Sequence, residues 1–126
     1  MLDYLRKLAP FLPALESGTF DFGHWEGGET RPDGTVTAPN YVFSQQALDL
    51  IAAMPVHAFD WTKWMTSPEA RALIADHANI ASATPEQLVK LATSLVRSDR
   101  FTEGSLAGAH ESGLLTAVVR RASLLV

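Results

Sequence analysis

The chain has 126 residues, 47% of them apolar and 19% charged, and no cysteine, which excludes disulfides, thiolate nucleophiles and cysteine-ligated zinc. Its formal net charge of −4 disfavours nucleic-acid binding, because nucleic-acid-binding proteins neutralise phosphates with a basic face. No apolar run approaches the ~20 residues of a membrane span, so we expect one cytoplasmic domain over residues 1–126 with no membrane partner.

The N-terminal segment has a helical apolar pattern that two prolines interrupt. Four leucines recur at spacings of three and four: Leu5, Leu8, Leu12 and Leu15. Pro10 and Pro13 each remove a backbone donor and crowd the preceding turn. We therefore expect a helix to about Ala9, followed by a kinked or restarted turn that ends at Gly18.

Residues 20–43 change periodicity and predict a β-hairpin. The stretch is rich in β-branched and aromatic residues, and residues 31–34, Arg-Pro-Asp-Gly, form a turn signal. Pro39 in the returning arm cannot donate to a strand ladder, which favours an edge position. Gly27 and Gly28 lack the strand-to-helix setting of a phosphate loop, and we interpret them as turn residues.

Helical patterns follow the hairpin to the end of the chain. Three of them begin at expected N-cap residues: Ser44, Ser67 and Thr84. The helix after Thr84, which has a capping-box glutamine at Gln87, is apolar around most of its circumference. The last helical pattern covers residues 114–125, and Gly113 separates it from the segment before. The sequence predicts a mainly α fold, with five to six helices packed around one buried helix, Leu88 to Val96, and a single small β-hairpin.

Residues 97–104, Arg-Ser-Asp-Arg-Phe-Thr-Glu-Gly, are the densest group of functional side chains. If the chain is helical from Arg100 onwards, then Arg100, Glu103 and His110 share one stripe. Arg97 or Arg100 could then bind an anion beside a general base from Glu103 or His110. We favour a structural role, an i,i+3 ion pair between Arg100 and Glu103. Glu103 and His110 would lie ~10 Å apart along the helix axis, too far to act as a pair unaided.

Small residues recur at intervals of four in the next segment, at Gly104, Gly108 and Ser112. One helix face would therefore be nearly bare of side chains. Glycine inside a helix costs ~1 kcal/mol relative to alanine, which calls for a reason such as close helix packing or a ligand on the backbone. We favour packing.

Two tryptophans, Trp61 and Trp64, would share a face of a short helix that Asp60 caps. They could form an aromatic wall for a base, a sugar or a peptide side chain, with Asp60 as a hydrogen-bond acceptor. We favour a structural interpretation, in which they cover one end of the core and Phe59 packs on Trp64 as a hydrophobic staple.

The sequence contains no complete catalytic or metal-binding signature. The four histidines are scattered, without His-x-His or His-x3-His spacing, and no Gly-x-Ser-x-Gly motif occurs. We expect no metal and no cofactor.

Arg120 and Arg121 are interpreted as a solvated helix end that complements the helix dipole.

Three groups of residues carry a family resemblance: residues 22–25, Phe-Gly-His-Trp; residues 59–61, Phe-Asp-Trp; and residues 97–104, followed by Glu-Ser-Gly at 111–113. Together they resemble the domain of unknown function 6508 family, small proteins of bacteria and their phages. The likeness runs from about Leu8 to Leu125. It implies a bacterial domain without an established activity, and an apolar or aromatic residue where this chain has His110, which argues against catalytic use of that histidine.

Two functions remain open at this point. The leading one is a non-catalytic protein-binding or regulatory module, because no catalytic signature is complete and the face over residues 104–112 is poor in side chains. Its expected partner is a protein, a second copy of the chain included. The alternative is a small enzyme for a phosphorylated or nucleotide-like substrate. Its catalytic residues would be Glu103 and Asp60, and its ligand-binding residues Arg97, Arg100, Trp61 and Gly104.

Overall fold

The computed structural model describes residues 2–126 and is mainly helical, which confirms the predicted class. The helices are α1 (Leu2–Arg6), α2 (Leu12–Ser17), α3 (Gln45–Ala53), α4 (Trp61–Met65), α5 (Pro68–Ala75), α6 (His77–Ile80), α7 (Pro85–Asp99), α8 (Ser105–Glu111) and α9 (Leu114–Leu125). Strands β1 (Gly23–Glu26) and β2 (Asn40–Phe43) form the predicted hairpin. Residues 2–126 contain more helical segments than the five or six expected, because the predicted N-terminal helix and the turn capped by Asp60 count as the short helices α1 and α4, and the short α6 was not predicted.

The prolines of the N-terminal segment divide its helix as predicted. A 3-10 turn, Ala9–Phe11, lies between α1 and α2 and contains Pro10. Pro13 stands in the first turn of α2, where its missing N–H is not needed. The left-handed backbone of Gly18, with φ of 74°, ends α2.

The predicted N-caps are confirmed in α3, α5 and α7. The hydroxyls of Ser44, Ser67 and Thr84 each accept a hydrogen bond from the backbone N–H three residues later, at 3.0, 3.2 and 3.1 Å. The Gln87 side chain accepts from the Thr84 backbone N–H at 2.9 Å, which completes the capping box. These bonds satisfy donors that a helix start leaves unpaired.

The two strands pair antiparallel, with Gly23 opposite Phe43 and Glu26 opposite Asn40. The predicted turn over residues 31–34 closes through a hydrogen bond from Gly34 N to Arg31 O, at 2.9 Å. Pro39 immediately precedes β2. The sheet has two strands, so both of them are edge strands. A two-stranded hairpin is marginal in isolation, so packing against the helices must stabilise this one.

The core is one contiguous cluster of buried side chains with α7 at its centre, as predicted. Leu88, Leu91 and Leu95 of α7 are buried, and α9 packs against α7, α8 and the N-terminal helices. The two buried hydroxyls of α7 are satisfied by backbone carbonyls one turn earlier, Thr93 by Val89 and Ser94 by Lys90, both at 2.8 Å. Within residues 2–126, every helix is too short or too polar to cross a membrane.

Candidate functional site

The polar segment that the sequence singled out is a turn, not a continuous helix. α7 ends at Asp99 and α8 begins at Ser105, so the condition for a shared stripe of Arg100, Glu103 and His110, a helix continuous from Arg100, is not met. After Asp99 the backbone tightens into hydrogen bonds that span three residues, from Arg100 N to Arg97 O and from Phe101 N to Ser98 O, and Gly104, with a left-handed φ of 89°, then precedes α8. The Asp99 carboxylate accepts from Leu106 N at 3.1 Å and so caps α8 from the preceding helix.

Glu103 joins this turn to the hairpin. Its carboxylate accepts a hydrogen bond from the backbone N–H of Tyr41, in β2, at 2.8 Å. Among the ion pairs of residues 2–126, none involves Arg97, Arg100 or Glu103, so the expected pair between Arg100 and Glu103 is also wrong. The carboxylate faces the hairpin instead, where it binds a backbone donor.

Gly104 is in close contact with Trp25 of β1. A Cβ atom added at Gly104 would lie 2.4 Å from Cζ2 of the Trp25 ring, which a real side chain cannot approach. Trp25 packs edge-on against Tyr41, with ring centroids 5.3 Å apart, and stays 51% exposed. The bare backbone at Gly104 is therefore used by the chain's own hairpin. Gly108 differs, because a Cβ added there would meet nothing within 4 Å, so packing within the chain does not explain this glycine.

Phe101 projects from the same turn and is 80% exposed. Its ring stacks on Trp61 of α4, with centroids 6.0 Å apart and planes at 30°. Arg97 lies in the last turn of α7, four residues before Phe101, and Arg100 directly precedes Phe101 in the turn that follows the helix. We call Phe101, Trp61, Arg97 and Arg100 the Phe101 surface.

Asp60 caps α4 as predicted. Its carboxylate accepts from Lys63 N at 3.2 Å and from the Thr62 hydroxyl at 2.9 Å, and these hydrogen bonds lower the pKa of Asp60 below its ordinary value. Trp64 is buried with Phe59 packed edge-on against it, at 6.2 Å between centroids, which confirms the staple. An open cleft of about 470 Å³ beside Asp60 is lined by Phe59, Asp60, Lys63, Trp64, Thr66 and Ser67, a set that includes none of Trp61, Arg97, Arg100 and Glu103.

His110 belongs to an aromatic cluster that sequence analysis missed. Its ring stacks on Phe22 at 4.9 Å between centroids, and Phe22 in turn contacts Tyr41 and Phe43 of the hairpin. Burial lowers the pKa of His110 below its ordinary value. His110 therefore packs as an aromatic side chain would, at a position where the family resemblance implied an apolar or aromatic residue. The pairs are far apart in sequence, and no local signal indicates them.

No metal centre is found in the part of the chain that the structure describes, where no three histidine or carboxylate side chains converge. His24 lies in β1, and its Nε2 atom is 2.9 Å from a carboxylate oxygen of Glu26, with both side chains exposed.

The comparison with family models gives one match, which covers residues 1–126 and is described as a family of unknown function, DUF6508. The chain belongs to the DUF6508 family. This match confirms the resemblance that was inferred from residues 22–25, 59–61, 97–104 and 111–113. Comparisons with curated proteins and with solved structures found no match. Membership in DUF6508 carries no activity with it, so function has to be argued from the geometry of this chain.

Proposed function

We propose that this DUF6508 chain is a non-catalytic protein-binding or regulatory module that docks its partner on the Phe101 surface. The observation that carries the proposal is the 80% exposure of Phe101 above a second aromatic ring, Trp61. Aromatic side chains and arginine are the residue types that dominate the binding energy of protein interfaces, and the Phe101 surface is built from them.

Charge favours a partner that carries carboxylates. Asp99 and Glu103, the acidic residues nearest to Arg97 and Arg100 along the chain, accept hydrogen bonds from the backbone N–H groups of Leu106 and Tyr41. Both guanidinium groups are therefore available for a carboxylate from outside, and bidentate pairs of this kind are among the stronger polar contacts. The expected partner segment offers an apolar side chain to Phe101 and acidic residues to the two arginines.

The enzyme alternative has weaker support. It requires Glu103, Asp60 and the two arginines around one substrate, with Trp61 as a stacking wall. Glu103 binds the Tyr41 backbone N–H, and Asp60 binds the Lys63 backbone N–H and the Thr62 hydroxyl. The hydrogen bonds of Asp60 lower its pKa, which is the opposite of what a general acid needs. Trp61 stacks on Phe101, which was not one of the predicted site residues, in the turn that also contains Arg100 and Glu103.

The test combines affinity purification with sedimentation. Wild-type chain should recover a protein partner, or form a dimer, and Phe101→Ala should weaken that association by more than about tenfold, as expected of a binding hot spot. Val36→Ala, which trims another exposed apolar side chain on the hairpin, serves as the matched control and should bind normally. Arg97→Gln with Arg100→Gln should slow association and reduce its dependence on salt.

A strict monomer that recovers no partner would count against the proposal, as would a partner that binds Phe101→Ala and wild type equally. A cytoplasmic location stays a prediction, and fractionation of cells that express the chain would test it.

A further inference from the structure

A separate cleft of about 290 Å³ lies between α6 and α9 and shares no residue with the Phe101 surface. Small residues line it: Ala78 of α6, Ala81 directly after α6, and Ala117 of α9. The His77 ring lies beside Gly113 at the start of α9, where a Cβ would meet the imidazole at an ordinary contact distance of 3.7 Å. The volume is close to the lower end of the range for small-molecule sites.

Three side chains that can donate hydrogen bonds line this cleft: His77, Arg120 and Arg121. Arg121 is half-buried, and its Nε donates to the carbonyl of Ala83 at 3.0 Å. That bond fixes the guanidinium group and leaves its terminal nitrogens without a partner in the described part of the chain. A guanidinium held in this way needs little further ordering to bind an anion.

The carboxylates around the cleft do not neutralise it fully. Glu16 of α2 approaches Arg120 at 3.8 Å, a long contact between two side chains that are each about half exposed. Asp76, which precedes His77, accepts from Ala78 N at 2.9 Å as the cap of α6. The cleft is thus a local concentration of cationic groups in a chain of net charge −4.

We infer that this cleft binds a small phosphate monoester. Guanidinium groups match the geometry of phosphate oxygens, and an imidazole N–H adds a further donor. The apolar part of the ligand would lie against Ala117 and Leu124, which also line the cleft. The helix-dipole interpretation of Arg120 and Arg121 accounts for their position at a helix end, but not for their convergence with His77 around an open volume.

The first test titrates isotope-labelled protein with phenyl phosphate and follows the resonances of His77 and Gly113 by NMR. These signals should shift saturably, while those of His24 and His57, which lie outside the cleft, should not. Arg120→Gln combined with Arg121→Gln should weaken binding by more than about tenfold. Arg71→Gln, which removes an exposed arginine of α5, is the matched control and should bind like wild type.

Because Arg121 also contacts the Ala83 carbonyl, a second variant tests the cleft without removing that bond. Ala78→Glu places a carboxylate in the cleft at the first turn of α6, where a negative charge favours the helix, so the protein should fold and lose phenyl phosphate binding. Ala72→Glu on α5 is its control and should retain binding. The inference is overturned by absent shifts at His77, by undiminished binding in Ala78→Glu, or by benzoate binding as tightly as phenyl phosphate.

Discussion

At the scale of single residues, His110 illustrates how a candidate catalytic group is used in packing. Its ring lies nearly parallel to Phe22, at 14°, and it also contacts Phe20. Burial lowers the pKa of His110, and the nearby charge of Glu111 opposes that effect without overcoming it. A histidine in this position is held neutral, which suits stacking between aromatic rings.

This lowered pKa makes a prediction about the pH dependence of stability. The unfolded chain binds a proton at this imidazole near pH 6.5, whereas the folded chain binds it only at lower pH. Stability from neutral His110 is therefore fully present above pH 6.5 and is lost as the pH falls through 6.5 towards the folded-state pKa. His110→Phe should lose less stability than wild type between pH 7 and pH 5, as measured by denaturant midpoints. Parallel curves for the two proteins would contradict this account.

At the scale of elements, the break between α7 and α8 decides what the polar segment can do. Had the helix continued, Arg100 and Glu103 would have shared one face. The left-handed backbone of Gly104 turns the chain instead, and Trp25 occupies the space where a side chain would be. The two glycines of this region therefore have different roles, since Gly108 lies within α8 with ordinary helical backbone and open space beside it.

Alanine substitutions at the two glycines should have opposite effects. Gly104→Ala forces a Cβ against Trp25 at a positive φ, and should lower the free energy of unfolding by about 1–3 kcal/mol. Gly108→Ala removes a helix-weakening residue and should raise it by about 0.5–1 kcal/mol. Chemical denaturation of both variants measures the difference. Equal effects would show that the turn at Gly104 does not depend on the absence of a side chain.

Local signals explain which elements the sequence could predict. The caps at Ser44, Ser67 and Thr84 bind backbone groups three residues away, so the pattern that indicates them is contained in a few positions. The end of α7 was missed because helical spacing of polar residues continues past it. Helical periodicity also cannot predict that Gly104 has a left-handed backbone before α8, or that it contacts Trp25 in a strand much earlier in the chain.

At the scale of the whole molecule, the polar turn attaches the hairpin to the helical core. Glu103 binds β2, Gly104 receives Trp25 of β1, and Phe101 contacts α4. Sequence analysis predicted that a buried α7 would organise the core and that Asp60 would act as a cap. It could not predict the partner of Glu103, which lies 62 residues away, because amphipathic patterns identify faces but not what covers them.

We expect Glu103 to hold the hairpin in place through its hydrogen bond with the Tyr41 backbone. Native-state hydrogen exchange at the Tyr41 amide tests it most directly. In Glu103→Ala the loss of the acceptor should speed Tyr41 exchange about tenfold, with exchange in the centre of α7 unchanged. Glu103→Gln keeps an acceptor oxygen and should protect Tyr41 nearly as well as wild type. Tyr41 exchange that is the same in Glu103→Ala as in wild type would contradict the account.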